Sequence, residues 1–378
     1  MKSSSRIILY LLFLSLLFLF QHCAGTGSGE GEEGFLWHPL DAGAATAFRL
    51  DTADGIIRAS VLRPWQGEEQ KVLSYYLTKK AFPAGADTLI HVPVRRVVVT
   101  STTHVAYLTV LNEEQHLVGI SGTRFVYNPK VRQLIASGRI KEIGYDANLD
   151  YELIVHLRPD VVFLYGVGAE VLDQIERLKK LGIPAVMVGD YLENTPLGRT
   201  AWLRFFGCFF DKEREAALWT DSITRRYRQL IRQDTLYRPL VMTGLPWNEI
   251  WYVSGGESLL ATLIRDAGGH YVWEHLPGTD AYPMDIEKVF REAGASDLWI
   301  NCGNATSLAS IRRTDERLIL FRPYRKGTIY NNDRRTGPGG GNDYWESGAV
   351  HPDLLLQDLI TIFHARRDSD LNYYRKLQ

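Results

Sequence analysis

The sequence has 378 residues, enough for two domains of ordinary size, and 45% of them are hydrophobic while 23% are charged. Lysine and arginine together number 43 against 44 aspartates and glutamates, which gives a formal net charge of −1. Nucleic-acid-binding chains usually carry a basic excess, so this balance gives no support to such a role.

Residues 1–22 have the pattern of a secretory signal peptide. Lys2 and Arg6 precede an apolar run over residues 7–20, and a short exit with small residues follows. The run is shorter than the roughly 20 residues of a membrane-spanning helix, which favours a signal peptide over a transmembrane anchor. Cys23 then resembles the lipid-accepting cysteine of bacterial lipoproteins, although the residue before it is not the small one usual there. The alternative is an ordinary signal peptide with an incidental cysteine.

Residues 23–44 form a predicted tether, because glycine and acidic residues dominate its first part and leave almost nothing to bury. Such a tether suits a protein that is attached to a membrane by its first residue. Residues 45–95 instead predict a small antiparallel β unit. Their runs of β-branched and aromatic residues, at 56–62 and 71–77, are separated by turn-forming glycines.

Residues 96–195 alternate between short apolar segments and amphipathic ones. The predicted strands and helices are strands at 96–100, 118–120, 160–165 and 183–188, and helices at 105–111 and 170–181. Apolar strands that alternate with amphipathic helices predict a parallel sheet covered on both faces, an α/β fold.

Residues 196–237 carry no strand pattern and predict one or two long linking helices, the second of which starts near Asp211. The alternation then returns over residues 238–378. Its predicted elements are strands at 239–242, 297–300 and 327–330, and helices at 258–267 and 353–366.

A weak internal repeat favours two similar α/β lobes. Residues 149–154 and 284–289 are alike, and each segment is followed by a short helix and an Asp-led strand. In each segment an aspartate, Asp150 or Asp285, is placed to cap the helix N-terminus. One copy lies before the linking helices and the other lies after them.

The chain resembles the class III substrate-binding proteins of bacterial ABC importers, the group that binds iron–siderophores, haem or cobalamin. An ordered set of short segments over residues 94–365 carries the resemblance, and no single motif among them is diagnostic. The segments are 94–104, 150–162 with its RPDVV, 181–184, 266–269 and 346–353, the last similar to the ending of lipoproteins from Bacteroides-like bacteria. The resemblance implies two Rossmann-like α/β lobes joined by one long rigid helix, with ligand held in the cleft between them.

The resemblance also implies a function. It predicts an exported, lipid-anchored, monomeric protein in the periplasm or at the cell surface, which passes a metal chelate to an ABC permease and its ATPase. An iron–siderophore is the first expectation, and cobalamin or haem is the alternative. The ligand would carry the iron or cobalt, so no cofactor of the protein's own is expected. The sequence lacks the common nucleophile-elbow and phosphate-loop motifs, so we expect no catalytic residue, with a lipid-anchored Rossmann-like enzyme as the runner-up.

Aromatic faces hold flat ligands and arginine pairs with carboxylates, so aromatic, polar and arginine residues after predicted strands are the ligand-binding candidates. They are Ser101, Thr102, His104, Arg124, Tyr127, Tyr145, Tyr165, Trp247, Trp251, Tyr282, Asn301, Arg334, Tyr344 and Trp345.

Trp247 leads this set because it follows a strand directly in a turn-prone segment, although a packing role is the alternative. His104 is a candidate ligand for a metal in the bound chelate, but a capping or packing role competes. No pair of histidines has metal-binding spacing, so we expect no metal site of the protein's own. Cys208 and Cys302 are expected to be free thiols rather than a disulfide.

The loop over residues 331–345 is expected to present an aromatic and basic wall to the cleft, with glycines that free its backbone. The alternative is an exposed loop whose Trp345 only packs on the last helix. For docking to the permease, the resemblance implies one acidic residue on each lobe. The candidates are Glu170 or Asp173 in the first lobe and Asp315 or Glu316 in the second. For each of them, an ordinary surface salt bridge is the alternative role.

Overall fold

The computed structural model describes residues 35–378 except 69, 81–88, 147, 233–235 and 366–369. The predicted signal peptide, Cys23 and most of the tether therefore lie outside the described residues. The elements below all belong to the unit His38–Gln378. Within the described part of the chain, no helix combines the length and apolar character needed to cross a lipid bilayer.

The N-terminal β unit is a five-stranded sheet with its strands in chain order. Its strands are β1 His38–Leu40, β2 Phe48–Ala53, β3 Ile56–Val61, β4 Leu73–Thr78 and β5 Leu89–His91. The pairs from β1 to β4 are antiparallel, whereas β5 runs parallel to β4. The Phe48 ring packs 4.9 Å from Trp202 and 5.4 Å from Phe205, which joins this sheet to the first lobe.

The first lobe is built around a fully parallel sheet of order β12-β11-β6-β7-β8, with a small antiparallel pair, β9 and β10, beside it. The strands are β6 Val97–Val99, β7 Leu117–Ile120, β8 Lys141–Glu142, β9 Gly144–Tyr145, β10 Asn148–Leu149, β11 Val161–Leu164 and β12 Ala185–Met187. Its helices are α1 Thr102–Val110, α2 Pro129–Ala136, α3 Tyr151–Leu157 and α4 Val171–Lys180. The strands β6 and β11 are buried along their whole length, as the continuous apolar runs predict.

Two helices, rather than one, follow the first lobe: α5 Pro196–Phe210 and α6 Glu213–Leu230. Asp211, in the left-handed conformation with φ of 60°, ends α5. Ala216 near the start of α6 packs in the core of the first lobe, whereas Tyr227 near its end packs in the core of the second. At about 1.5 Å per residue, α6 spans the distance between the two cores as one helix of about 27 Å.

The second lobe contains a sheet of order β15-β13-β17-β18-β19, parallel except for the antiparallel edge strand β19. The strands of this sheet are β13 Leu240–Thr243, β15 His270–Tyr271, β17 Leu298–Ile300, β18 Ile329–Asn331 and β19 Arg375–Lys376. A separate antiparallel pair consists of β14 Trp251–Ser254 and β16 Ala281–Met284. Its helices are α7 Leu259–Asp266, α8 Ile286–Ala293, α9 Leu308–Thr314, α10 Arg322–Lys326 and α11 Pro352–Ile360.

The two lobes share their layers but differ in strand order. Numbered within each lobe, the first sheet has the order 3-2-1-4-5 and the second has the order 2-1-3-4-5. Each order reverses once, between β6 and β11 in the first lobe and between β13 and β17 in the second. Open α/β sheets bind ligands at the carboxyl ends of the strands beside such a reversal. The predicted fold class, two α/β lobes joined by a long helix with a small β unit before them, is confirmed.

Candidate functional site

A cavity of about 290 Å³ lies at the strand reversal of the first lobe. The segments that follow β6 and β11, residues 100–102 and 165–167, form its floor, and Ser121, Phe125 and Tyr145 add to its walls. Thr100 ties the two segments together, since its Oγ1 accepts a hydrogen bond of 2.7 Å from the backbone N–H of Tyr165.

A second cavity, of about 650 Å³, lies between the lobes. The first lobe contributes Thr102 and Phe125, and the second contributes Asn301, Asn332 and Trp345. Thr102 and Phe125 line both cavities, so the two cavities are adjacent, and we call them together the interlobe cleft. Cavities of this size are typical of small-molecule sites.

The first-lobe wall of the cleft is fixed by a helix cap. Ser101 is the N-cap of α1, and its side chain accepts a hydrogen bond of 3.3 Å from the N–H of Thr103. This cap places Ser101 and Thr102 at the helix N-terminus, with both residues partly exposed to the cleft. Hydroxyl groups in this position are suited to hydrogen bonding with a ligand.

The second-lobe wall is fixed by asparagine side chains. The Asn301 carbonyl oxygen accepts a hydrogen bond of 2.7 Å from the Tyr374 hydroxyl. The Asn331 amide donates to the backbone oxygens of Gly303 at 3.0 Å and Ala305 at 2.8 Å, which holds the loop after β17. These bonds give the wall a defined shape without occupying the cavity.

The glycine loop, residues 337–341, connects the lobes. A Cβ atom on Gly339 or Gly341 would overlap the backbone oxygens of Arg124 and Phe125, respectively, in the first lobe. Glycine at these two positions therefore permits a close approach of backbone to backbone that other residues forbid. The sequence predicted conformational freedom in this loop but not its contact with the first lobe.

Glu346 forms a second connection between the lobes. Its carboxylate accepts hydrogen bonds from the backbone N–H groups of Tyr127 at 2.7 Å and Asn128 at 2.8 Å. Burial raises the pKa of Glu346 to about 7, the two backbone donors lower it, and the nearby Asp343 raises it. Sequence reasoning missed this residue, because nothing local marks a glutamate whose partners lie 219 and 218 residues away.

The structure brings six of the predicted ligand-binding residues to the cleft. They are Ser101, Thr102, Tyr145, Tyr165, Asn301 and Trp345. Tyr145, Tyr165 and Trp345 expose 57%, 37% and 51% of their surfaces, so aromatic faces are open on both sides of the cleft.

Three predicted residues are buried and line neither cavity, so the structure does not place them at the cleft as expected. Trp251 is fully buried because it points inward at the start of β14, where its indole N–H donates to the Thr243 oxygen at 3.0 Å. His104 is fully buried within α1, and burial lowers its pKa to about 4. Tyr344 is only 4% exposed and packs edge-on against Tyr374.

The expected basic wall is absent from the residues that line the two cavities. Arg334 is exposed but lines neither cavity, and the Arg124 guanidinium lies 4.3 Å from the centre of the Phe125 ring. Tyr127 has the guanidinium of Arg335 over its ring, at 5.4 Å. The predicted residues Arg124 and Tyr127 therefore flank the cleft rather than line it.

Trp247 and Tyr282 also lie outside the two cavities. Trp247 is 69% exposed and lies at a tight turn. Its backbone forms an antiparallel β-bridge with Ile250, and the two residues between them, Asn248 and Glu249, have positive φ. Tyr282 lies in β16, and its hydroxyl donates to the Pro277 oxygen at 2.8 Å. The prediction that these residues line the cleft is therefore not met by its geometry.

The predicted docking acids differ in their surroundings. Glu170 and Asp173 are exposed at the start of α4, and Glu170 also borders the first cavity. In the second lobe, Asp315 forms an ion pair of 2.7 Å with Arg317, whose hydrogen bond lowers the pKa of that aspartate. Glu316 lies 3.7 Å from Arg312. The docking roles of all four acids stay predictions.

The described residues include two free cysteines, Cys208 and Cys302, and both are buried. Burial raises the pKa of each thiol. In the same part of the chain, no cluster of three or more histidine, cysteine, aspartate or glutamate side chains is arranged to hold a metal ion.

Comparison of the sequence with known families and proteins gives consistent matches. The profile of the family described as periplasmic binding protein matches residues 97–331. An uncharacterized lipoprotein of Methanocaldococcus jannaschii is 27% identical over 286 residues, which cover 73% of this chain and 66% of that protein. The chain thus spans just under two thirds of that relative. A second uncharacterized protein of the same organism is 23% identical over 75% of this chain and 87% of its own length.

Solved structures share the fold at low sequence identity. A periplasmic haem-binding protein from Pseudomonas aeruginosa is 16% identical, with a TM-score of 0.57 over 75% of this chain and 98% of that one. An Fe3+-hydroxamate transport protein from Saccharomonospora viridis is 17% identical, with a TM-score of 0.53 over 72% and 94% of the two chains. An ABC transporter substrate-binding protein from Listeria monocytogenes is 16% identical, with a TM-score of 0.53 over 72% and 99%.

Proposed function

Because this chain belongs to the periplasmic binding protein family, whose members are binding proteins of transporters and not enzymes, we propose that it captures a metal chelate in the interlobe cleft. It then delivers the chelate to an ABC permease that is driven by its ATPase. The observation that carries this proposal is the cleft itself. Its cavities lie at the strand reversal of the first lobe and between the lobes, and both lobes supply its walls.

An iron–siderophore is the first candidate ligand, and haem or cobalamin is the alternative. Structures with this fold include proteins named for haem binding and for Fe3+-hydroxamate transport. Exposed rings of Tyr145, Tyr165 and Trp345 suit a chelate with flat or apolar faces, because aromatic side chains gain most from such contacts. The metal enters as part of the ligand.

Tryptophan fluorescence tests the proposal on the full chain, purified in a mild detergent. We expect saturable quenching by at least one chelate from a panel of ferric siderophores, haemin and cyanocobalamin, after correction for absorption by the chelate. Trp345→Phe, inside the cleft, should weaken binding by more than about 1 kcal/mol. Trp247→Phe, at an exposed site outside both cavities, is the matched control. Failure of the entire panel to bind would refute the proposal.

We also propose that the protein is exported and lipid-anchored. The support is the signal-like pattern of residues 1–22, the position of Cys23 and the description of one relative as a lipoprotein. Cys23→Ala should move the protein from the membrane fraction to the soluble fraction of a periplasmic extract. Retention of the variant in the membrane fraction would refute the lipid anchor, and Cys208→Ala is the control, since that thiol is buried.

For docking to the permease, the exposed acids of the first lobe are the stronger candidates. Glu170 and Asp173 have no ion-pair partner among the described residues, whereas Asp315 and Glu316 already lie beside arginines of their own lobe. An acid that is already paired has less charge to offer a partner. Loss of transport with unchanged ligand binding in Asp173→Asn, which lines neither cavity, would support this assignment.

A further inference from the structure

The interlobe cleft has no positive side chain on its walls. Among the described residues that line either cavity, none is lysine, arginine or histidine, and the three charged ones are Asp146, Glu170 and Asp333. The other polar side chains of the second cavity are amides and hydroxyls. They are Thr102, Asn301, Asn304, Thr306, Asn332, Thr336 and Asn342.

The carboxylates of the cleft are only partly neutralised. Asp146 and Glu170 are exposed and form no ion pair within the described residues, and Glu170 accepts a backbone hydrogen bond from Gly168 at 3.1 Å. Asp333 is paired with Arg375 at 2.6 Å through one carboxylate oxygen, while its other oxygen is buried without a hydrogen-bond partner. All three charged side chains that line the cleft are therefore acidic, and two of them have no ion-pair partner among the described residues.

The arginines that flank the cleft are engaged elsewhere. Arg335 forms an ion pair of 2.8 Å with Asp343. Arg132 donates to the backbone oxygen of Val126 at 3.2 Å, and Arg124 is stacked on Phe125. None of the three lines a cavity, so no guanidinium forms part of the cleft wall for an anionic ligand to pair with.

Asn332 supplies an independent indication of what the cleft binds. It is only 6% exposed, it lines the second cavity, and its side-chain amide has no hydrogen-bond partner among the described residues. The adjacent Asn331, by contrast, donates to two backbone oxygens. The amide atoms of Asn332 are open to the cavity rather than sealed in the protein, and an amide pairs equally well as donor and as acceptor. A ligand that presents amide or other carbonyl groups would satisfy it.

We propose that the cleft selects metal chelates that carry no net negative charge and present amide or other carbonyl groups, over chelates with free carboxylates or catecholates. The inference rests on the proposed function above and narrows its substrate class. An anionic chelate would bring its charge beside Asp146, Glu170 and Asp333 without a cation in place, and like charges at a desolvated interface oppose binding. Uncharged ferric hydroxamates and the carboxamide-bearing corrinoids share the favoured chemistry.

The test titrates the full chain in detergent, by calorimetry, with four chelates. Two of them, an uncharged ferric trihydroxamate and cyanocobalamin, have the favoured chemistry. The one that binds shows whether the ligand is a hydroxamate siderophore or a corrinoid. Two are anionic: a ferric tricatecholate and haemin. We expect a favoured chelate to bind at least about tenfold more tightly than either anion, and its affinity to change little with salt. Tighter binding of an anionic chelate would overturn the inference and leave the proposed function standing, whereas silence from all four would overturn both.

Variants separate recognition by the amide from recognition by charge. Asn332→Leu should lower the affinity for the favoured chelate about tenfold without lowering the unfolding midpoint, because it removes an amide that faces the cavity and has no partner among the described residues. Gln133→Leu, at an exposed amide of α2, is the matched control. Unchanged affinity in Asn332→Leu would overturn the role of the amide.

Asp146→Asn combined with Glu170→Gln should strengthen binding of the tricatecholate about tenfold at low salt, and no gain would overturn the role of the charge.

Discussion

Two tryptophans four positions apart show how local context separates a core residue from a surface residue. Trp251 begins β14, whose side chains alternate between buried and exposed, so its indole ring points inward toward Trp299 at 5.6 Å. Trp247 lies on the preceding turn and is 69% exposed. Both follow a strand within a few residues, so proximity to a strand did not distinguish them in the sequence.

The two tryptophans should differ sharply when they are truncated. Trp251→Ala should lower the free energy of unfolding by about 3–5 kcal/mol, because a fully buried aromatic ring leaves a cavity. Trp247→Ala should change it by no more than about 0.5 kcal/mol. Urea denaturation of both variants measures the difference, and equal losses would contradict the placement of Trp251 in the core.

Glu346 makes stability depend on pH. Its pKa is raised from 4.5 to about 7 in the folded state, mainly by burial. Between these values the folded protein holds a proton that the unfolded chain has released, so the free energy of unfolding falls as pH rises. The loss is on the order of 3 kcal/mol when the pH passes from below 4.5 to above 7.

Glu346→Gln should remove this contribution, because glutamine does not titrate. The free energy of unfolding, from urea denaturation at pH 5 and at pH 7.5, should fall less between the two values in the variant than in the wild type. Glu316→Gln, at an exposed glutamate of the second lobe, is the control and should keep the wild-type dependence. An identical pH dependence in Glu346→Gln and wild type would contradict the assignment.

At the scale of elements, the glycine loop is shaped by what lies across from it. Gly339 and Gly341 lie against backbone oxygens of the first lobe, whereas Gly337 has only ordinary contacts at 3.7 Å and beyond. A side chain can be added only where space exists, so the glycines of this loop are not equivalent. The loop acts as a contact between lobes as well as a wall of the cleft.

Gly341→Ala should therefore disturb the contact between the lobes. The added Cβ would overlap the Phe125 backbone oxygen, and relief of such overpacking costs about 1–3 kcal/mol. Gly337→Ala, with space for the methyl group, should change the free energy of unfolding by less than about 0.5 kcal/mol. Thermal and urea unfolding of the pair measures this contrast, and equal stability would show that the loop adjusts without cost.

Local patterns predicted most of the elements but few of their distant contacts. Asp150 and Asp285 cap their helices as the sequence indicated, with hydrogen bonds of 2.9 Å to the Leu153 N–H and 2.6 Å to the Lys288 N–H. Strands such as β6 and β11 were predictable because continuous apolar runs mark buried parallel strands. The edge strand β19 was not, because its two residues carry no strand pattern of their own and pair only through the rest of the sheet.

The candidate site was predictable to a similar extent. Ser101 and Thr102 were found because they follow a strand and open a helix, a local feature. Glu346 was missed, since its contacts depend on backbone groups that the fold brings from the first lobe. His104 was misplaced because a histidine at a strand-to-helix junction looks the same in sequence whether it faces the cleft or the core.

At the scale of the whole molecule, the lobes are held together at several points. Helix α6 enters both cores, and its Arg226 forms an ion pair of 2.7 Å with Asp353 of α11. Glu346 and the glycine loop connect the lobes beside the cleft. A Thr200 hydroxyl on α5 donates to the backbone oxygen of Ala349 at 2.9 Å. These contacts favour a cleft that is formed before the ligand arrives, which limits the entropy lost on binding.

The separation of the lobes should therefore change little when a chelate binds. Spin labels at Lys180→Cys on α4 and Arg313→Cys on α9, introduced together with Cys23→Ala, report this separation by pulsed electron resonance. Both labelled positions are exposed, and the remaining cysteines, Cys208 and Cys302, are buried. We expect the mean distance to shift by less than about 2 Å, as in pre-organised complexes. The same labels in Gly341→Ala should give a broader distance distribution, since that variant disturbs one connection between the lobes. A contraction of the wild-type distance well beyond 2 Å would instead show that α6 bends and that the cleft closes on its ligand.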